Sequence, residues 1–564
     1  MIKHRSPVSG IHAFGRSLIA TAGYDNQVLL WDAARKRVIA KGAHDHLANQ
    51  CSFSACGRRL VSASSDYTAR LWSVPSMRIL TVLVGHDDDV EMAVISPDGA
   101  RVATASRDHT IGVFCAAGGT MERRLTGHTA DVISVAWAAG GSELISSSDD
   151  GTIRRWSPLS GEMLDVIDLD GTETDTIAVG DDGSIFAGND RGELVLLRDR
   201  RVQRFAAHRA GIKRVLYEPG RKLVLTASYD RTVKIWNVAG EEPTLSSEAE
   251  APAGVWLRAV AFAGSDTAVF GTFGSSYATL SLPTGEWDLT GVEDTGGLNA
   301  VRVAGGAVYS IGDAGVVFRD GVPTVRIGSL CNFIGVAGTA IVTGGQSGTL
   351  FNARTGEPIH SHSSPLNCST AFDRSGQRHL VVGTYTGEGL VFKEAGGSLS
   401  YVATIAMHDN AVKGVAANAG HLFSVCATGA ARLFSIDTLE CVGSYPNAHR
   451  KISNGAAVLP NGAFASVSRD LALRIWRGET WEEIATPHTH SVKCVAASPG
   501  QGSLIATGSY SGEVALFDWR RRQWVFHECV TSSGISSLCP AEQEDVFWAS
   551  SYDGHVYEIS AGGR

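Results

Sequence analysis

Proline is scarce in this chain, 16 among 564 residues, while glycine stands at 64. That imbalance suits many tight turns between short strands better than stiff linkers. Charged residues make up only 19% and the formal net charge is −9. So weak a bias disfavours general attraction to nucleic acid or an anionic membrane, and neither is expected as a partner. None of the ten cysteines forms a C-x-x-C pair, and Cys115, Cys426 and Cys494 fall in strand-like runs. The pattern speaks for reduced, buried thiols rather than a disulfide or zinc framework. No apolar run approaches membrane-spanning length, and the opening MIKHRSPVSG lacks the apolar segment of a secretion signal. The expected location is cytoplasmic. P-loop, H-E-x-x-H, G-x-S-x-G and dinucleotide signatures are missing in any sensible context, so no catalytic residue, cofactor or metal ligand is assigned.

What the chain has in abundance is one pattern. Residues 223–237, LVLTASYDRTVKIWN, read as two alternating strands around a polar turn. A lone hairpin is marginal in water, so it needs neighbours of its own kind. Copies such as LIATAGYDNQVLLWD at 18, LISSSDDGTIRRWS at 144 and FASVSRDLALRIWRG at 464 supply them, and weaker ones bring the count to fourteen. The turn position, usually Asp, falls at 25, 66, 108, 150, 191, 230, 274, about 312, 347, 386, 428, 470, 511 and 553. A period near forty with alternation throughout predicts four-stranded β-propeller blades rather than helical repeats.

Further positions track the turn. Ser or Thr stands four residues before it (Thr104, Ser146, Thr226) and a large apolar residue six after (Phe114, Trp156, Trp236). Upstream comes a His with an aliphatic residue four later: His86/Val90, His128/Val132, His208/Ile212, His408/Val412, His488/Val492. With Gly85-His86, Gly127-His128 and Trp31-Asp32, these residues resemble the WD40 repeat. The resemblance implies a hydrogen-bonded set of His, Ser/Thr, Asp and Trp in each well-formed blade. Carried onto this chain the sets are His128–Ser146–Asp150–Trp156 and His208–Thr226–Asp230–Trp236, with His86–Thr104–Asp108 ending in Phe114. Ser, His and Asp recurring together could suggest catalysis, but a nucleophile site is singular and lies in a cleft. These sets read as structure.

Fourteen blades exceed the usual size of one ring. The expected fold is all-β: two seven-bladed propellers in tandem, residues 1–290 with blades 1–7 and residues 291–564 with blades 8–14. The last unit has no room for an outer strand of its own. Either the N-terminal residues, 1–8, complete it, or one ring closes by side-chain packing alone. The acidic insert at 239–254 reads as a solvated loop, Asp87 to Asp89 with Glu91 as an acidic rim, and the basic stretches at 198–204 and 520–522 as guards of outer edges.

A propeller's function must come from its loops. In the WD40 arrangement the residue just before the turn Asp opens onto the same face as the His loop. Six of these fourteen positions are aromatic, where 8% aromatic content predicts about one. Aromatic residues and Arg are enriched where proteins bind tightly. The expected partner-binding residues are therefore Tyr24, Arg107, Tyr229 and Phe273 in the first ring and Tyr385, Arg469, Tyr510 and Tyr552 in the second. The resemblance implies a non-enzymatic scaffold or adaptor for other proteins or peptides. The excess of Arg over Lys, with plentiful Ala and Gly, hints at a GC-rich bacterial genome and a signalling, regulatory or defence assembly. The alternative is a propeller enzyme of hydrolase or lactonase type with a metal in a central channel.

Overall fold

The computed structural model describes residues 2–198 and 201–561. Among these there is no α-helix, only a single 3-10 turn at Ala139–Gly141. Thirteen four-stranded sheets and a final three-stranded sheet follow one another along the chain, each an antiparallel meander taken in sequence order. Blade 6 (residues 212–250) shows the build. Leu223–Ser228 and Thr232–Asn237 pair from Leu223 opposite Asn237 to Ala227 opposite Val233, around a turn in which Arg231 takes φ 68°. Ile212–Glu218 flanks the hairpin inside and Thr244–Glu250 outside. The acidic insert thus carries the outer strand of blade 6, Thr244–Glu250, and is not a free loop. An outermost strand needs main-chain pairing rather than apolar side chains, so polar composition does not forbid it.

The chain divides into two compact units, Met1–Thr295 and Gly296–Arg564. The boundary falls five residues beyond the expected cut because the intervening chain stays with blade 7. Ser275 N–H donates to the Glu293 carbonyl at 2.8 Å, and the Thr295 hydroxyl donates to the Phe273 carbonyl at 2.9 Å. In each unit the inner strands pack side by side until the ring closes. In the first, Val8–Phe14 of blade 1 meets Val255–Phe262 of blade 7. In the second, Leu298–Ala304 of blade 8 meets Ile535–Pro540 and Val546–Ser551 of blade 14. Apolar side chains fill the space between neighbouring blades, as where Val113 and Ile111 of blade 3 pack with Val135, Leu144 and Trp156 of blade 4.

The last sheet keeps three strands among the described residues, and the N-terminal residues expected to complete it are spent on the first ring. His4 N–H donates to the Ser275 carbonyl at 3.0 Å, and the His4 ring is buried against Thr21 and Asp25. The second ring therefore closes by packing. Blade 8 accounts for the short step near residue 312: Arg319 pairs with Val322 across Asp320 and Gly321, both at positive φ, which is a two-residue turn that leaves no loop. Of the basic stretch at 198–204, Asp199 and Arg200 lie outside the described residues. Arg198 hydrogen-bonds the Gly240 carbonyl and Arg204 pairs with Asp170, so both serve edges of their own ring.

Candidate binding faces of the two rings

The hydrogen-bonded sets come first, because they fix the loops. In blade 4, Trp156 Nε1–H donates to Ser146 Oγ at 2.9 Å; Ser146 lies 2.8 Å from His128 Nε2, and His128 Nδ1 lies 2.8 Å from Asp150. Burial lowers the His128 pKa, so a neutral ring completes the circuit. Ser146 O–H donates to Nε2 and Nδ1–H donates to the carboxylate, one proton per link. Burial would raise the Asp150 carboxyl, but hydrogen bonds from His128 and Thr152 outweigh it and hold it well below the usual carboxylate range. Asp66, Asp108, Asp230 and Asp470 are depressed in the same way. Blade 6 carries the expected set at 3.2, 2.7 and 3.0 Å, and blade 3 ends in Phe114.

Three full sets escape the reading above: His4–Thr21–Asp25–Trp31, His44–Ser62–Asp66–Trp72 and His449–Ser466–Asp470–Trp476. Their signal is a spacing. In every full set the His precedes its Asp by 21 or 22 residues.

Next to each set stands the residue before the turn. Its backbone N–H donates to the carbonyl just ahead of the inner strand, at 3.0 Å from Tyr24 to Pro7, 2.9 Å from Arg107 to Asp89 and 3.1 Å from Tyr510 to Ser491. The same bond holds Tyr229, Phe273, Tyr385, Arg469 and Tyr552, so all eight expected residues occupy one equivalent position. Beside them lies a second repeated position, not among the expected site residues. In most blades the second residue of the inner strand is bulged out of the ladder, for example Asn49, Glu91, Lys213, Lys413, Asn454 and Lys493. Asparagines here tie neighbouring blades: Asn49 Nδ2 donates to the Val90 carbonyl at 2.9 Å, Asn332 to Leu366 at 2.8 Å and Asn454 to Val492 at 2.8 Å. The signal was the residue five after each repeat His.

The two rings use these positions differently. In the first, Glu91 is buried and gripped from two sides, by Arg107 Nε at 2.5 Å and Arg258 Nη2 at 2.6 Å, so it does not form a solvated rim. Arg107 also reaches Asp131 at 2.5 Å. Lys213 pairs with Asp175 and Asp190 and lies 4.9 Å from the centre of the Tyr229 ring. Carboxyls crowd this side: burial and then Asp190 push Glu173 up to about 8, and burial with Asp131 and Asp175 raises Asp149 well above its ordinary value. Phe273 is buried, stacked 5.4 Å from Trp256, which meets the edge of Tyr24 at 5.2 Å. Here Phe273 serves packing, and Tyr24 is what that cluster presents.

In the second ring several of the equivalent positions are cationic or aromatic. Lys413 Nζ sits 4.4 Å above the Tyr385 ring, and Lys493 Nζ 5.7 Å from that of Tyr510. The Arg469 guanidinium lies 5.8 Å from the Tyr510 ring, and Tyr510 stacks on Tyr552 at 6.4 Å and 12°. Arg469, Lys493 and Tyr552 thus gather around Tyr510 across blades 12 to 14, and Lys413 with Tyr385 forms a second cation–aromatic pair across blades 10 and 11.

The model of the family described as WD domain, G-beta repeat matches residues 1–32, 37–73, 77–115, 119–157, 199–237 and 481–518. The first five segments end one residue past Trp31, Trp72, Phe114, Trp156 and Trp236, each in a blade whose His–Asp pair is intact. WD40 domains generally mediate protein–protein interactions and are typically non-enzymatic. With its consecutive meander sheets and two closed rings, the chain is a WD40-repeat β-propeller protein.

Proposed function

We propose that this chain is a non-enzymatic scaffold that holds protein partners on the loop faces of its two rings. The observation that carries the reading is the second ring's run of Tyr385, Lys413, Arg469, Lys493, Tyr510 and Tyr552. Rigid aromatic rings supply contact area at low entropic cost, and cations beside them favour an acidic peptide. The carboxyl-rich first ring offers the opposite character, so one chain can hold two chemically different partners. A signalling, regulatory or defence assembly is the setting that such a two-faced adaptor suits.

The test is binding of the full chain to an array of short acidic and basic peptides. Y510A and K493A should each weaken capture of acidic peptides about tenfold, as the loss of an interface anchor of about 1–2 kcal/mol would. Their melting temperatures should stay within a degree or two of the parent. Equal capture by parent and variants would refute the assignment of this face.

A further inference from the structure

Blade 13 departs from the blades with an intact His–Asp pair in a way that points to a ligand. Its histidine, His488, is 4% exposed and lies 2.8 Å from Thr507 Oγ1 through Nε2. Phe517 stands where Trp stands in the full sets, so no indole N–H donates to this hydroxyl. The Thr507 hydroxyl lies 3.4 Å from the Ala515 carbonyl, so it can donate there and accept Nε2–H from His488. With the imidazole proton on Nε2, Nδ1 presents a bare lone pair. In the blades with an intact His–Asp pair, Nδ1 meets the carboxylate, at 2.7 Å in blade 3 and 2.8 Å in blade 4. Blade 13 has Ser511 at that turn, and the nearest carboxylate is Glu513, 3.7 Å away. That is too long for a hydrogen bond, and Nδ1 has no hydrogen-bond partner. A buried lone pair facing a carboxylate across such a gap is unfavourable unless something positive sits between them.

The outer strand supplies a third group. His527 Nε2 lies 3.6 Å from the other Glu513 oxygen, and the His488 and His527 rings stand perpendicular with centres 5.8 Å apart. Three donor atoms, one from each residue, lie within 4.8 Å of one another. We propose that His488 Nδ1, the Glu513 carboxylate and His527 Nε2 form a binding site for a divalent transition-metal ion, zinc by the nature of the ligands, on blade 13. Two imidazoles and a carboxylate are a zinc-type donor set with a fourth position left for water. Tetrahedral zinc with bonds of about 2.0–2.1 Å needs its ligand atoms about 3.4 Å apart. Each imidazole is already near that distance from one of the two Glu513 oxygens, and His527, with about a third of its side chain exposed, has room to swing inward.

The surroundings match what ligands need. The contact from His488 Nε2 to Thr507 holds the ring and suits the tautomer that presents Nδ1 as a ligand. Glu513 is oriented by Thr489 N–H at 3.1 Å and by the Ser511 hydroxyl at 2.8 Å. Burial would raise the Glu513 carboxyl, but these donors outweigh it and keep it ionised. Burial lowers His488 to about 4, which keeps its ring neutral and able to ligate.

The experiment uses the full chain, stripped with a chelator, equilibrated with zinc chloride and dialysed before metal analysis. H527A removes one ligand from an exposed outer strand, and H555A removes an exposed histidine from blade 14 as a control. The parent and H555A should each retain one zinc equivalent more than H527A, and zinc should raise the melting temperature of the parent but not of H527A. Titration should show zinc bound at least tenfold more weakly by H527A. Equal zinc content in parent and H527A, or an equal thermal shift, would overturn the site and leave His527 as an ordinary ion-pair partner of Glu513.

Discussion

Asp149 and Asp150 are adjacent, yet their carboxyls are pushed in opposite directions. Asp150 is depressed because His128 and Thr152 donate to it; Asp149 is raised because burial and the carboxyls of Asp131 and Asp175 surround it. Stability should follow each sign separately. Depressed carboxylates stabilise the fold fully above about pH 4, the unfolded value, and lose that contribution as pH falls. D150N should therefore cost about 1.5–3 kcal/mol at neutral pH, as the loss of a charge-assisted bond does, with the gap to the parent narrowing in acid denaturation curves. Glu173 has the reverse sign. With its folded pKa pushed up to about 8, the folded chain keeps a proton that the unfolded chain releases from about pH 4.5 upward. Its contribution is whole below pH 4.5 and disappears as pH rises through 8. Melting temperatures measured between pH 5 and 8 should fall less steeply for E173Q than for the parent, and parallel slopes would contradict this assignment.

At the level of the blade, the bulged second residue of the inner strand matters as much as the familiar turn. When it is Asn it ties one blade to the next, as Asn454 does to Val492; when it is Lys it faces the aromatic position, as Lys413 does Tyr385. N454A leaves a buried carbonyl without its donor, and chemical denaturation should show a loss of about 1–2 kcal/mol. The strands themselves were legible because alternation and turn residues repeat with a fixed period. The Asn and Lys positions were harder to read, since a polar residue second in an apolar strand looks like a solvated strand end until the bulge is seen. Phe273 misled for a related reason: its place in the turn matches that of Tyr24, but Trp256 on the neighbouring inner strand covers it. Outer strands carry little periodic signal, as the exposed residues of Thr244–Glu250 show, and a polar one reads as a loop.

Across the whole molecule, the fold class was written in the repeats, while the routes of closure depended on pairing between chain segments far apart. Each unit has its own apolar clusters between blades, so calorimetry should resolve two unfolding transitions. D150N should lower only one of them and N454A only the other; a single transition shifted by both would mean that the rings melt as one body. The two closures also differ in kind. His4 locks onto Thr21 and Asp25 while its main chain bonds Ser275, so residues that leave the ribosome earlier must wait for those made some 270 positions later. Until then the opening blade has a bare flank, a sticky surface on a nascent chain. Once residue 295 has emerged the first ring can shut, so that half of the protein can be finished, and shielded from chaperones and proteases, before synthesis of the second is far advanced.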